Sequence, residues 1–490
     1  MNQPRNKWLL LTTGILITFA LASSLAGQSS PAAGPAAQSP TAARPAASLA
    51  FRDSVDTPPP GWKGQRFKLS HDYPKTKPKC EAPWLKRQVS FTNPNPQWSD
   101  WQAYVQDIIN YVKEGQSFKD GWNSKVGGQT RWYHVPWMAY DGERGREFVH
   151  GLTNELSTAL SSFITQTRGV GRGTGRHTLP GANASGNISP EFETWSVGMY
   201  NPCGGWSIGQ AFPPSGDPAT YKRGGKTYAR GMPFPEGTVV VKVLNTTATE
   251  KDVPYLKGST TWQANGHKQL SPTQYTLCDR EVREVHLVQV DLAVVDDRSP
   301  TRWVYSTLAY DGQDYDPSRP GSIWDRLKPL GVQFGNDPMS FPAVAQSDSK
   351  PLSETVLAPL SISGYEHYGC SKRLAGTVDQ SNSSCVSCHM GAFAAPPPYL
   401  NLQGGTIPAI FNFCDMCTTF NTANSQYFSD YKYPATFPGN GFTTAIPLDS
   451  SLQLAVAFAQ YSTFRNPHAL PLACPDARAT RRASSAAAKP

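Results

Sequence analysis

Val285-His-Leu-Val-Gln-Val-Asp-Leu-Ala-Val-Val295 is the stretch that decides the fold. Val288, Val290, Leu292 and Val294 recur at every second position. A period of two puts them on one face of an extended strand. Upstream, Thr194–Tyr200 and the β-branched run Gly237–Asn245 read as further strands. Downstream, Trp303–Tyr310 is another, ending at Asp311-Gly312, a hairpin-type turn. Such runs separated by polar turns predict an antiparallel sheet. Helical spacing is confined to the flanks. Ser99 or Asp100 can cap a helix carrying Trp101, Val105, Ile108, Ile109 and Val112, with Gly115 as its stop. A second helix is predicted over Phe148–Phe163, with Leu152, Leu156 and Leu160 on one face. A third begins after Asp449 and carries Leu452, Leu454, Ala455, Phe458 and Tyr461. The expected class is therefore α+β: an antiparallel β-sheet core with peripheral helices and long irregular loops. The 43 Pro, 41 Gly and only 17% charged residues agree with a loop-rich chain.

The ends differ from the middle. Arg5 and Lys7 precede an almost wholly apolar stretch, Trp8–Ala22, and Ser24-Leu-Ala26 offers a small-x-small cleavage site. That is the layout of a secretory signal. The apolar stretch is short for a spanning helix, so no membrane span is expected after cleavage, and an uncleaved N-terminal anchor is the alternative. The expected organisation is a signal peptide over 1–26, a disordered Ser/Pro/Ala linker over 27–50, a helical and loop region over 51–190, a β-rich region over 191–345, a region over 346–474 whose Cys385-x-x-Cys-His389 marks it for haem attachment, and a disordered basic tail over 475–490. The net charge is +8, but Arg5, Lys7, Arg478, Arg481, Arg482 and Lys489 lie near the termini, which leaves the body close to neutral. Nucleic-acid binding has little support. Gly169-Val-Gly-Arg-Gly-Thr-Gly175 follows no clear strand and opens no helix, so it reads as a loop rather than a phosphate cradle.

Chemistry enters at Cys385-Val-Ser-Cys-His389, a Cys-x-x-Cys-His motif. Two thiols at that spacing can each add to a porphyrin vinyl group, and the following imidazole can take the iron's proximal position. Cofactor attachment by Cys385 and Cys388, with His389 as the metal ligand, predicts one covalent haem c on a late loop or short helix. Covalent attachment of this kind occurs outside the cytoplasm, so the export signal and the motif agree on a periplasmic or secreted protein. Of the nine Cys, seven remain: Cys80, Cys203, Cys278, Cys370, Cys414, Cys417 and Cys474. An oxidising compartment allows up to three disulfides among them, with connectivity open. Cys414-Asp-Met-Cys417 lacks the following His and reads as a local disulfide or ordinary loop cysteines.

The order of Phe234-Pro-Glu-Gly-Thr-Val-Val-Val-Lys242, Val290-Asp-Leu-Ala-Val-Val-Asp296, Arg302-Trp-Val-Tyr-Ser-Thr-Leu-Ala-Tyr-Asp-Gly312 and then the late haem motif resembles the β-sheet cytochromes c of the c-prime-beta type. The likeness covers about 230 to 390. The whole chain also resembles large bacterial monohaem cytochrome c family proteins, through Phe148-Val-His-Gly-Leu-Thr-Asn154, Thr194-Trp-Ser-Val-Gly-Met-Tyr-Asn201 and Leu452-Gln-Leu-Ala455. The c-prime-beta resemblance implies haem against an antiparallel sheet with an open, apolar distal side. In some relatives a Lys is cross-linked to the haem and hydroxylamine-type substrates are oxidised. Lys242, between Val240 and Leu244, is the residue here that could approach a buried cofactor; a solvent-facing edge Lys is the plainer reading.

Function turns on the distal ligand. Met390 is adjacent to His389 and cannot reach across the ring. Met416 and Met339 are the candidate distal ligands, with His367 and His468 as others, and each reads equally as a core Met or surface His. Phe334, Phe393, Tyr399, Phe411 and Phe413 could wall a haem crevice or be ordinary core. The first expectation is a monohaem electron carrier served by redox partner proteins. The alternatives are a five-coordinate haem enzyme or sensor acting on a small nitrogen oxide, hydroxylamine or peroxide, and a non-catalytic binding protein with a structural haem. Its size exceeds what an electron shuttle needs, yet no acid/base or nucleophile constellation is legible.

Overall fold

The computed structural model describes residues 58–64, 67, 69–118, 121–138, 140–141, 145–146, 152–155, 192–213, 217–271, 274–340, 351–359, 369–379, 383–395, 430, 432–433 and 445–465. Its centre is an eight-stranded antiparallel sheet. The strands are β1 (Leu152–Glu155), β2 (Thr194–Tyr200), β3 (Val239–Thr246), β4 (Thr261–Ser271), β5 (Gln274–Val295), β6 (Trp303–Tyr310), β7 (Leu327–Gln333) and β8 (Thr355–Leu357). Their order is β8-β7-β6-β5-β3-β2-β1, with β4 paired to the outer half of β5. The structure thus has the expected α+β class.

The deciding stretch lies in the inner half of β5. Val290 pairs with Val243 on one side and Leu308 on the other. Val241, Val243, Val290, Leu292, Val294, Val304, Leu308 and Val332 make one apolar face. Helix α1 (Trp98–Lys113) covers it with Trp101, Tyr104, Val105, Ile108 and Val112. The opposite face, with Ala293, Val295, Trp303 and Tyr305, is covered by α2 (Pro202–Ala211), α3 (Cys385–His389) and α4 (Leu452–Arg465). Cover on both faces explains why every residue of β6 is buried, whereas an antiparallel sheet often leaves one face wet.

Three expectations need correction. Helix α1 is capped at Gln97, and Asp100 Oδ2 accepts from the Gln97 N–H at 3.1 Å, so Asp100 sits one turn inside. Within the predicted helix at 148–163, Leu152–Glu155 is a strand paired with Thr194–Val197; the rest lies outside the described residues. Sheet pairing there overrides the i, i+4 leucine spacing. Asp311-Gly312 does not close a tight hairpin, because a longer connection with a helical turn at Ile323–Arg326 joins β6 to β7. The third helix is present as α4.

Cys80 and Cys203 form a disulfide that ties the segment before α1 to the start of α2. Among the described residues, no helix is long and apolar enough to cross a membrane. The predicted signal, linker and basic tail lie outside them.

Candidate functional site

The Cys-Val-Ser-Cys-His segment folds as the short helix α3. Ser384 caps it, its Oγ accepting from the Ser387 N–H at 3.3 Å. The helix docks on the end of β7 and the turn beyond. Gln333 Oε1 accepts from the Val386 N–H at 3.2 Å. Ser387 Oγ donates to Asn336 Oδ1 at 2.8 Å, and Asn336 Nδ2 donates to Met390 Sδ at 2.7 Å. The Cys385 N–H donates to Leu374 O at 3.0 Å. Behind this turn, Glu354 and Asp430 accept from the Asp337 and Asn336 N–H groups at 2.6 and 2.8 Å. The fully buried Arg373 donates to Asn336 O and Asp337 O.

Residues three apart on a helix share a face. Cys385 and Cys388 accordingly line one cleft with His389, against the sheet. The cleft encloses about 490 Å³ of non-atom space, its open mouth included. Tyr305, Thr307 and Asp291 form its floor, and Asp379, Ser383 and Ser384 its side. The Asp291 carboxylate accepts from Gln289 Nε2 at 2.6 Å and Thr307 Oγ1 at 3.0 Å. Gln289 Oε1 in turn accepts from Thr377 Oγ1 and the Val378 N–H, each at 2.9 Å. One wall is therefore polar and tightly tied. Lys242 stands directly across from Asp291 in register, half-buried, so it belongs to the cleft face.

His389 is held from outside the cleft. Its Nδ1 lies 2.9 Å from Ser450 O. A carbonyl only accepts, so Nδ1 carries the proton. The Tyr305 ring lies 4.8 Å from the imidazole, centroid to centroid. Burial drives the Tyr305 phenol well above its ordinary value, and its bond to Ser450 only partly offsets this. The corner that presents Ser450 O is unusual. Asp449 and Ser450 are both left-handed, with φ of 46° and 63°. Such a conformation costs roughly 1–3 kcal/mol for each non-glycine residue and persists only where its surroundings fix it. Here Asp449 is buried and accepts from the Phe234 N–H at 2.8 Å, Arg302 Nη1 at 2.8 Å and Trp303 Nε1 at 3.2 Å. Burial pushes its carboxyl above the usual range, while Arg302 pulls it back.

The three motif residues thus meet in one cleft. Their donor set fits a covalently held porphyrin: two sulfurs on one helical face and an imidazole whose second nitrogen is tied to a carbonyl, the usual outer partner of a metal-bound His. One observation sets a condition. Cys388 is disulfide-bonded, to a cysteine outside the residues whose side chains are described, while Cys385 carries a thiol. A sulfur in a disulfide cannot add to a vinyl group, so attachment requires that bond to be open.

No known family model, curated protein or solved structure matches this chain. The site therefore rests on its own geometry. Met339 is 47% exposed and does not line the cleft. Met416, His367, His468, Cys414 and Cys417 lie outside the described residues. His286 is on β5 with Nε2 3.6 Å from Glu284, away from the cleft lining. Phe334 stacks on Trp101 at 4.6 Å, on the α1 side of the sheet, rather than walling the cleft. Sequence reading missed Asp291, Asp379, Tyr305 and Ser450. Only Asp291 carried a signal, a charge inside an otherwise apolar strand.

Proposed function

We propose that this chain is a monohaem c-type cytochrome that carries electrons outside the cytoplasm, exchanging them with redox partner proteins. The observation that carries the reading is the His389 Nδ1 to Ser450 O bond beside two cysteines on one face of α3. Cys385 and Cys388 would hold the porphyrin, and His389, with its proton fixed on Nδ1, would offer Nε2 to the iron. Haem so bound supplies a one-electron couple. Tyr305 packs on the imidazole and keeps solvent from one of its sides. The Cys80–Cys203 disulfide supports an oxidising compartment.

The test is production in a host with intact cytochrome assembly, followed by mass analysis of the peptide carrying Cys385–His389. Porphyrin mass on that peptide is expected, along with loss of colour in the Cys385→Ala, Cys388→Ala double variant. A wild-type chain with neither porphyrin mass nor colour overturns the reading. A reduced spectrum unchanged by carbon monoxide is expected of a carrier. A gas-induced shift points instead to an open site and chemistry on a small nitrogen oxide, hydroxylamine or peroxide.

The Cys388 disulfide favours a second reading, thiol–disulfide exchange. The Cys385 thiolate would attack the Cys388 sulfur, forming a Cys385–Cys388 bond and releasing the third cysteine as a thiolate, with no net change in oxidation state. Differential alkylation of haem-free protein tests it. The third cysteine becomes alkylated on exchange, and an unchanged pattern removes the reading.

A further inference from the structure

We propose that Arg302 and Asp449 are positioning residues for His389, holding the left-handed Asp449-Ser450 corner so that Ser450 O fixes the proton and orientation of the imidazole. This rests on the reading of His389 as a metal-ligating side chain. Three non-glycine residues with positive φ meet at one place: Arg302 (69°), Asp449 (46°) and Ser450 (63°). Starting α4 does not require this. A helix cap needs only one extended residue with a side-chain acceptor, and Ser451 Oγ already accepts from the Leu454 N–H at 3.2 Å. What the corner adds is a carbonyl 2.9 Å from His389 Nδ1.

The fixing groups come from different parts of the chain. Arg302 uses its whole fork, with Nη1 to Asp449 Oδ2, Nη2 to Phe234 O, both at 2.8 Å, and Nε to Asp297 Oδ1 at 2.9 Å. A planar guanidinium can make these bonds at once, and a Lys cannot. Alternate residues of β6 complete the clamp. Trp303 donates to Asp449, while Tyr305 bonds Ser450 and packs on the imidazole. Leu448 N donates to Ala392 O at 3.0 Å, so the corner is also tied to the chain leaving α3. Every bond at the corner limits the freedom of one carbonyl, and that carbonyl faces His389.

The experiment follows the His389 Nδ1 proton by NMR in the full mature chain as purified, either haem-free or in the diamagnetic reduced haem form. In the wild type the Nδ1–H form is expected to dominate, with slow solvent exchange. Asp449→Asn is expected to speed that exchange by about tenfold or more, the effect of losing one hydrogen bond to a fixed acceptor. Arg302→Lys keeps the charge, loses the fork and should fall between the two. It also gives the answer if Asp449→Asn does not fold. Ser451→Ala is the structural control, since it removes the α4 cap and leaves the corner intact. Unchanged exchange in Asp449→Asn and Arg302→Lys overturns the proposal. So does equal acceleration in Ser451→Ala, or a wild-type imidazole protonated on Nε2. A protected Nδ1 proton in a chain that never takes up haem would sink the haem reading and keep the corner. Covalent haem with unchanged exchange in the variants would do the reverse.

Discussion

At the residue scale, the cleft wall is set by Gln289. It is fully buried, and its amide ties Asp291, Asp379, Thr377 and the Val378 N–H together. A Cβ on Gly376 would lie 2.0 Å from Gln289 Nε2 and 2.2 Å from Cδ. This amide cannot step aside without breaking bonds on two segments. Gly376→Ala should therefore cost ~1–3 kcal/mol, as an overpacked core does. Urea denaturation reads it, and a loss below a few tenths would mean the wall is soft. A double-mutant cycle with Gln289→Ala should show the two changes to be non-additive, because the second removes the clash. None of this was legible in the chain, where Gly376 is one glycine among many and Gln289 a polar break in an apolar strand. The Cys-x-x-Cys-His motif was legible because its spacing is local. The Asp449-Ser450 corner was not, since its left-handed backbone is imposed by Arg302, Trp303 and Phe234 from elsewhere in the chain.

At the scale of elements, the turn between β7 and β8 carries the clearest pH dependence. Glu354 and Asp430 converge over Gly335, where a Cβ would lie 2.4 Å from Glu354 Oε2 and 3.0 Å from Asp430 Oδ1. Burial first, then the Asp430 charge, pushes the Glu354 carboxyl up to about 8 from an ordinary 4.5. Arg373 and Asp337 face the same pair. Between those two values the folded chain holds a proton that the unfolded chain has released. The resulting stability is full below about 4.5 and is lost as pH rises towards about 8. Denaturation free energies across that window should fall with pH in the wild type and fall less steeply in Glu354→Gln, where Asp430, its carboxyl also raised by burial, remains. A slope unchanged by the substitution would assign it to other groups. Since Asn336 joins this turn to Ser387 and Met390, α3 should loosen over the same range. Legibility differed among the elements for a related reason. β2 and β6 were read to their ends because both faces are buried along their whole length and carry no charged residue. β5 was read short, because its outer half, with Asp279, Arg280, Glu281, Arg283 and Glu284, pairs only with β4 and lacks the alternation. β1 was read as helix because its partner, β2, arrives from about forty residues away in the chain.

At the scale of the molecule, one sheet is enclosed between α1 and the group α2, α3 and α4, and the candidate site sits on the second side. The disulfide is the covalent link between the chain before α1 and this second layer. It joins Cys80 to the buried Cys203 across 123 residues. Cys203 lies in the first turn of α2, whose Ile208, with Phe212 just past its end, packs in the same cluster as α4. Phe212 meets Phe458 ring to ring at 5.1 Å. Removing the link with Cys80→Ser and Cys203→Ser frees a long loop in the unfolded chain, which should lower stability by ~2–5 kcal/mol. The loss should appear as a lower denaturant midpoint. The docking of α3, and with it the proposed haem attachment, should survive, because α3 is held by Gln333 and Asn336 and not through α2. The wild type treated with a reductant should also move to a lower midpoint, since reduction opens this bond together with that of Cys388. If neither reduction nor substitution moves the midpoint, the two layers are held by packing alone and the disulfide adds nothing to the equilibrium.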